Sequence, residues 1–188
     1  MVEKIILVAG MPGSGKGVVS EVAKSLGIPV IIMGDVLREI AISKGLEIND
    51  ANLGKLALDL RKKIGRHVIA LYSLEKAKRL KNDIVLIEGL RNIEEYDYLK
   101  QNVKNLVLIA VHASPKTRFE RLRKRGRKDD PKTFEDFEAR DRRELKMGIG
   151  SVIALADIML VNEDISLDEF RSIVEKQMIE ILEKGRQK

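Results

Sequence analysis

Residues 4–17 read Lys4-Ile5-Ile6-Leu7-Val8-Ala9-Gly10-Met11-Pro12-Gly13-Ser14-Gly15-Lys16-Gly17. The first six are a short apolar run, too short for a buried helix. They are rich in the branched side chains of a strand covered on both faces. Gly10, four residues, then Gly15-Lys16 follows the spacing of a phosphate-binding loop. From Gly15 to Leu26 apolar residues recur at helical intervals (Val18, Val19, Val22, Leu26). The bare Gly/Gly/Lys spacing arises by chance in roughly one chain in twenty from average residue usage. Its position, closing a strand and opening a helix, is what gives it meaning.

The chemistry explains each residue type. Gly10, Gly13 and Gly15 let successive backbone N–H groups turn inward around phosphate oxygens. Ser14, Gly17 and Val18 complete the candidate cradle, and the helix N-terminus adds its dipole. Lys16 supplies a point charge for the β- and γ-phosphates of a nucleoside triphosphate, ATP first among them. One residue departs from the pattern. Gly17 stands where a Ser or Thr would offer a hydroxyl to Mg²⁺, so the metal must be held by water, nucleotide oxygens and a carboxylate elsewhere.

Outward from this stretch, apolar runs alternate with amphipathic ones. Strands are expected at Lys4–Ala9, Pro29–Met33, Asp83–Glu88, Leu106–Val111 and Asp157–Val161. Helices are expected at Gly15–Leu26, Asp35–Lys44, Ala51–Leu80, Ile93–Asn102, Pro115–Arg125, Pro131–Met147 and Ser166–Lys184. Ser166 with Glu169 makes a capping box, and Pro115 and Pro131 suit first helical turns. Alternating strand and helix predict parallel βαβ units. The expected fold is α/β: a three-layer P-loop NTPase architecture, with a five-stranded parallel sheet flanked by helices. The roughly 50 residues between the second and third strands exceed a simple crossover and imply a helical lobe. The chain is then one domain over 1–188. Its core is 1–34, 82–122 and 148–188, its helical lobe 35–81, and its short lid region 123–147.

Composition narrows the function. The 188 residues contain no cysteine and two histidines, His67 and His112. Thiolate catalysis, disulfides and Cys- or His-rich metal sites are excluded. No apolar run reaches the ~20 residues of a membrane span, and the N-terminus lacks a signal-peptide pattern, so a soluble cytoplasmic protein is expected. The formal charge is +6. The excess is local: Lys116–Lys128 holds eight cations against Glu120 alone. Such a segment suits a phosphate-bearing partner, either a small ligand or nucleic acid. Aromatic residues are 4% with no Trp, which poorly supplies stacking platforms for single strands.

Five stretches, in order, resemble the adenylate kinases. They are Gly10–Gly17 (GMPGSGKG), Gly34-Asp35-Val36-Leu37-Arg38, Glu88-Gly89-Leu90-Arg91, Arg121-Leu122-Arg123-Lys124-Arg125, and Arg127-Lys128-Asp129-Asp130. Only Gly126 separates the last two, so the lid is nearly absent. Val18 replaces a Thr of that family. The tail, including Asn162-Glu163-Asp164, looks more like dephospho-coenzyme A kinases and an archaeal-type adenylate kinase-related family. The chain is placed with the last group.

The resemblance implies roles. Gly34, Asp35, Arg38, Gly89 and Arg91 would take the acceptor, the two arginines gripping its phosphate; Asp35 also suits a helix cap. Glu88 would orient Mg²⁺ through water. Arg121, Arg125 and Arg127 would close over the transferring group as catalytic cations, with Arg140 and Arg143 as further lid candidates. Asn162 and Glu163 would lie where backbone contacts reach the donor base. The function expected is transfer of the ATP γ-phosphoryl group to a nucleoside monophosphate, AMP first. A dephospho-coenzyme A acceptor on the same machinery is the alternative. A nucleotide-dependent regulatory or RNA-associated protein ranks third, because the lid match already employs the cations that RNA would need.

Overall fold

The structure is a computed structural model and describes residues 2–126 and 130–183. Strand β1 (Lys4–Ala9) is buried at every position. Its side chains alternate between the two faces, as pleating requires. Ile5, Leu7 and Ala9 join one apolar cluster, and Ile6 and Val8 the other. β3 (Ile84–Glu88) and β4 (Asn105–His112) pair with β1 on either side. β2 (Val30–Ile32) and β5 (Ile158–Val161) form the edges. All pairings are parallel, in the order β2-β3-β1-β4-β5. The strand order therefore reverses beside β1, and the crevice beyond the strands' C-terminal ends opens there, where open parallel sheets hold ligands.

Helices cover both faces. On one, α1 (Lys16–Ser25) packs with α9 (Leu167–Glu183) through Val19, Val22, Phe170, Val174 and Met178. A side chain of this size, fully buried, contributes about 1.5–3 kcal/mol. The Lys4 ammonium ties the end of α9 to the sheet by donating to the Ile181 carbonyl at 2.7 Å, and burial lowers its pKa. On the other face lie α2 (Met33–Ser43), α3 (Asp50–Ile64), α4 (Val68–Arg79) and α5 (Ile93–Asn102). Their apolar residues join the sheet's cluster without a break, from Leu56 and Leu60 through Leu74 to Ile5.

α6 (Pro115–Arg125) follows β4, with Ser114 capping it and Pro115 in its first turn. α7 (Phe134–Met147) and the short α8 (Ile149–Ala154) lead into β5. At α9, Ser166 and Glu169 exchange capping bonds: the Ser166 N–H donates at 2.8 Å and the Glu169 N–H at 3.2 Å.

Several boundaries differ from expectation. The expected helix 51–80 is two helices, because Gly65 at φ 127° ends the first and His67 opens the second. His67 then stacks on Tyr98 at 4.8 Å, fixing the corner. β2 is cut short because Met33 already belongs to α2. Pro131 precedes its helix rather than opening it. Thr133 is the N-cap, its side chain accepting from the Asp136 N–H, and Phe134 starts α7. Lys184 lies outside the described residues. No helix among the described residues is long and apolar enough to cross a membrane.

Candidate active site at the end of β1

The loop 10–15 bends where its glycines allow it. Gly13 has φ 83°, and a Cβ there would sit 2.7 Å from the Arg118 carbonyl oxygen. Gly15 has φ 106°, and its Cβ would sit 2.3 Å from Asn162 Nδ2. Both positions exclude side chains by backbone conformation and by space. The Lys16 ammonium folds back over the loop, donating to the Gly10 carbonyl at 2.8 Å and the Met11 carbonyl at 3.2 Å. Burial pushes its pKa down to about 8; Arg91 and Arg118 push the same way, while Glu88 and Glu144 oppose them. The Ser14 hydroxyl is buried with no hydrogen-bond partner among the described residues.

Glu88 ends β3 beside this loop and accepts from the Ser20 hydroxyl at 2.5 Å. Ser20 lies one helical turn after Lys16, on the inner face of α1. Gly17 is open, with nothing within 4 Å of a Cβ, and Val18 is half-buried. No group of three or more acidic or His side chains among the described residues could cage a metal. One carboxylate next to the loop, with a hydroxyl beside it, fits an ion carried in by the nucleotide and held through water.

The acceptor candidates separate into two groups. Arg91 reaches the same region as Lys16. Its Nη1 donates to Glu144 Oε1 at 3.1 Å, bringing α7 against the β3–α5 turn. Gly89, at φ 108°, donates its N–H to the Val8 carbonyl at 3.0 Å and carries the chain from β3 into that turn. The turn is braced by Glu95, a buried residue whose carboxylate accepts from the Arg91 N–H at 2.9 Å and whose own N–H donates to Asn92 Oδ1 at 2.8 Å. Burial raises its pKa against the pull of the Arg91 N–H and Arg61. Arg38 instead pairs locally with Asp35 at 2.6 Å on the exposed side of α2, with Gly34 beneath it. Asp35 binds this arginine and makes no cap bond to α2.

On α6, Arg121 Nη2 donates to Asn162 Oδ1 at 3.0 Å, and its Nη1 is buried with no partner among the described residues. Arg125 pairs with Asp130 at 2.5 Å, and Arg140 approaches the same carboxylate at 3.6 Å. Arg143 lies on the exposed surface of α7. Arg127 lies outside the described residues, as do Lys128 and Asp129. Arg118, one of the cations of the basic segment, is a buried strut. It donates to Asp141 through both Nη atoms, to the Ala113 carbonyl at 3.1 Å and to the Pro12 carbonyl at 3.2 Å. It thereby fixes the phosphate-loop turn to α6 and α7. Nothing in its spacing separates it from the other cations; its i, i+3 neighbour Arg121 is the only hint.

Asn162 and Glu163 follow β5. Asn162 is buried, and its Nδ2 donates to the Ser14 carbonyl at 2.9 Å. Glu163 accepts from the Ser114 N–H at 2.6 Å, the Ser114 hydroxyl at 2.8 Å and the Thr117 hydroxyl. Those bonds, Thr117 first, hold its pKa down at about 2. A carboxylate with a depressed pKa stabilises the fold above its unfolded value and loses that contribution as pH falls through its folded one. The Glu163→Gln variant is therefore expected to be less stable than wild type at neutral pH. The gap should close between about pH 4.5 and about pH 2. Urea titrations at both ends of that window check it.

A glycine cradle capped by a lysine at the switch point of a parallel sheet is the build of the P-loop kinase-like proteins. A family model described as an AAA domain matches residues 9–138. The chain belongs to that family, and within it to the UPF0200 proteins: it is 49% identical to the UPF0200 protein of Hyperthermus butylicus, with 96% of each chain covered. It is also 46% identical to that of Methanococcus vannielii, over 95% of this chain and 98% of the relative. Among solved structures, TT1252 from Thermus thermophilus matches with TM-score 0.67 at 20% identity, covering 97% of this chain and 99% of that one. A shikimate kinase from Acinetobacter baumannii in complex with shikimate matches with TM-score 0.59 at 17% identity, over 100% and 97%. A gluconokinase from Sinorhizobium meliloti matches with TM-score 0.56 at 16% identity, over 98% and 96%. These likenesses show the fold.

Proposed function

We propose that the protein is an ATP-dependent phosphotransferase whose acceptor is a nucleoside monophosphate, AMP first. The observation that carries the proposal is the cradle. Loop 10–15 and the half-buried Lys16 lie beyond the C-terminal end of β1, with Arg91 after β3 and Arg121 on α6 as cations from two further elements. The triphosphate lies on the loop N–H groups, and its charge takes Lys16 off the Gly10 and Met11 carbonyls. Arg91, and Arg38 from α2, hold the acceptor phosphate in place of their present partners Glu144 and Asp35. An acceptor oxygen attacks the γ-phosphorus in line; the bond to the β–γ bridging oxygen breaks, and ADP leaves. Arg121 and Arg125 from α6 balance charge on the transferring group. Mg²⁺ would be held through water by Glu88 and would supply charge neutralisation on the phosphates. Positioning and charge account for the rate, with no covalent intermediate.

A second reading rests on the same two ion pairs. Asp35 and Glu144 neutralise the arginines assigned to an acceptor phosphate, and each is a carboxylate able to receive a proton. That suits a hydroxyl acceptor such as dephospho-coenzyme A. The test is a coupled assay with ATP and both acceptors on wild type, Lys16→Ala and Arg91→Ala. Turnover of AMP that Arg91→Ala reduces mainly through KM supports the first reading; turnover of dephospho-coenzyme A alone supports the second.

The Lys16 pKa gives a sign. Phosphate oxygens favour the ammonium, so its pKa rises on binding and a proton is taken up above about pH 8. ATP affinity should be flat below that pH and fall up to tenfold per unit above it. Titrations at pH 7, 8 and 9 check this.

A further inference from the structure

We infer that Asn162 is a positioning residue that sets Arg121 against the phosphate loop; this rests on the reading that the cradle takes a triphosphate. The side chain spends both ends of its amide on this link. Nδ2 donates to the Ser14 carbonyl at 2.9 Å, and Oδ1 accepts from Arg121 Nη2 at 3.0 Å. Its place is tight: it is buried, and a single added carbon on Gly15 would meet Nδ2 at 2.3 Å. The glycine is thus required by Asn162 as well as by the bend of the loop.

Two buried donors flank this link, the Ser14 hydroxyl and Arg121 Nη1, and neither has a partner among the described residues. A buried unpaired donor is costly, and each belongs to a residue that the Asn162 amide bonds through another atom. An anion on the loop is the group that satisfies them together. Asn162 acts by fixing the Arg121 guanidinium to the backbone of the loop, so that one fork nitrogen is held and the other is left for phosphate. Glu163, next in the chain, adds a second tie by pinning the start of α6, the helix that carries Arg121. The tail after β5 therefore locks the α6 cation into register with a loop 148 residues away in sequence.

The test is a double-mutant cycle on ATP·Mg²⁺ affinity, using Asn162→Ala, Arg121→Ala and the pair, with ADP as the comparison ligand. Each single variant is expected to weaken ATP binding about tenfold, and the pair no more than the weaker-binding single variant, because the two act as one unit. Independent losses, about a hundredfold in the pair, would overturn the inference while leaving the triphosphate site intact. A wild type that binds no triphosphate would overturn both. If Asn162→Ala does not fold, Asn162→Ser takes its place in the same cycle. A merely structural asparagine would lower stability without this coupling to Arg121.

Discussion

Lys16→Ala should abolish useful phosphotransfer, lowering the rate at least about 10²–10³-fold, the cost of deleting one donor aimed at developing charge. The variant should stay folded. Among the described residues Lys16 bonds only the Gly10 and Met11 carbonyls of its own loop, and its burial as an ammonium is costly enough to drop its pKa to about 8. Removing it therefore relieves a strained charge while deleting the group proposed to meet the β- and γ-phosphates. Thermal melting should show a midpoint no lower than wild type, and single-turnover transfer should show the loss. A variant that transfers at the wild-type rate would remove the lysine from the mechanism.

Arg118→Ala should have the largest effect on stability. The guanidinium is 5% exposed, and its partner Asp141 is 15% exposed. It also satisfies the carbonyls of Ala113 and Pro12 and stacks over Phe137 at 4.9 Å. Truncation leaves a carboxylate and two carbonyls without their donor. Breaking a buried pair in this way costs about 3–5 kcal/mol. For a chain of this size that lowers the midpoint by roughly 10 °C. The double replacement Arg118→Met with Asp141→Leu should recover much of the loss, because no charge is then stranded. Nucleotide affinity should not recover with it, since the Pro12 carbonyl loses its anchor in both. A melt within a degree or two of wild type for Arg118→Ala would contradict this account.

Local sequence carried most of the sheet. β1 and its loop were legible because strand, glycines and lysine are contiguous, and the strands share the short branched runs of a doubly covered sheet. The break at Gly65 was not, because an apolar-periodic run continues through it; the stack of His67 on Tyr98, which fixes the corner, is a tertiary contact. The candidate site was legible as residue types and only partly as geometry. Lys16 and Arg91 needed only a βα turn to place them. Arg118 and Arg121 looked alike as cations one turn apart, and the partners that distinguish them lie 23 and 41 residues away. The Glu163 side chain caps α6 through residues 46 and 49 positions earlier. Side chains that tie distant elements carry no local signature.

The central claim is that loop 10–16 clasps a triphosphate. Calorimetric titration of the wild-type chain with ATP and Mg²⁺ at pH 9, in two buffers of different ionisation enthalpy, tests it most directly. The account predicts one site per chain, with a buffer-dependent heat that reports proton uptake by Lys16. Absence of saturable binding, or binding with no proton taken up, would contradict it.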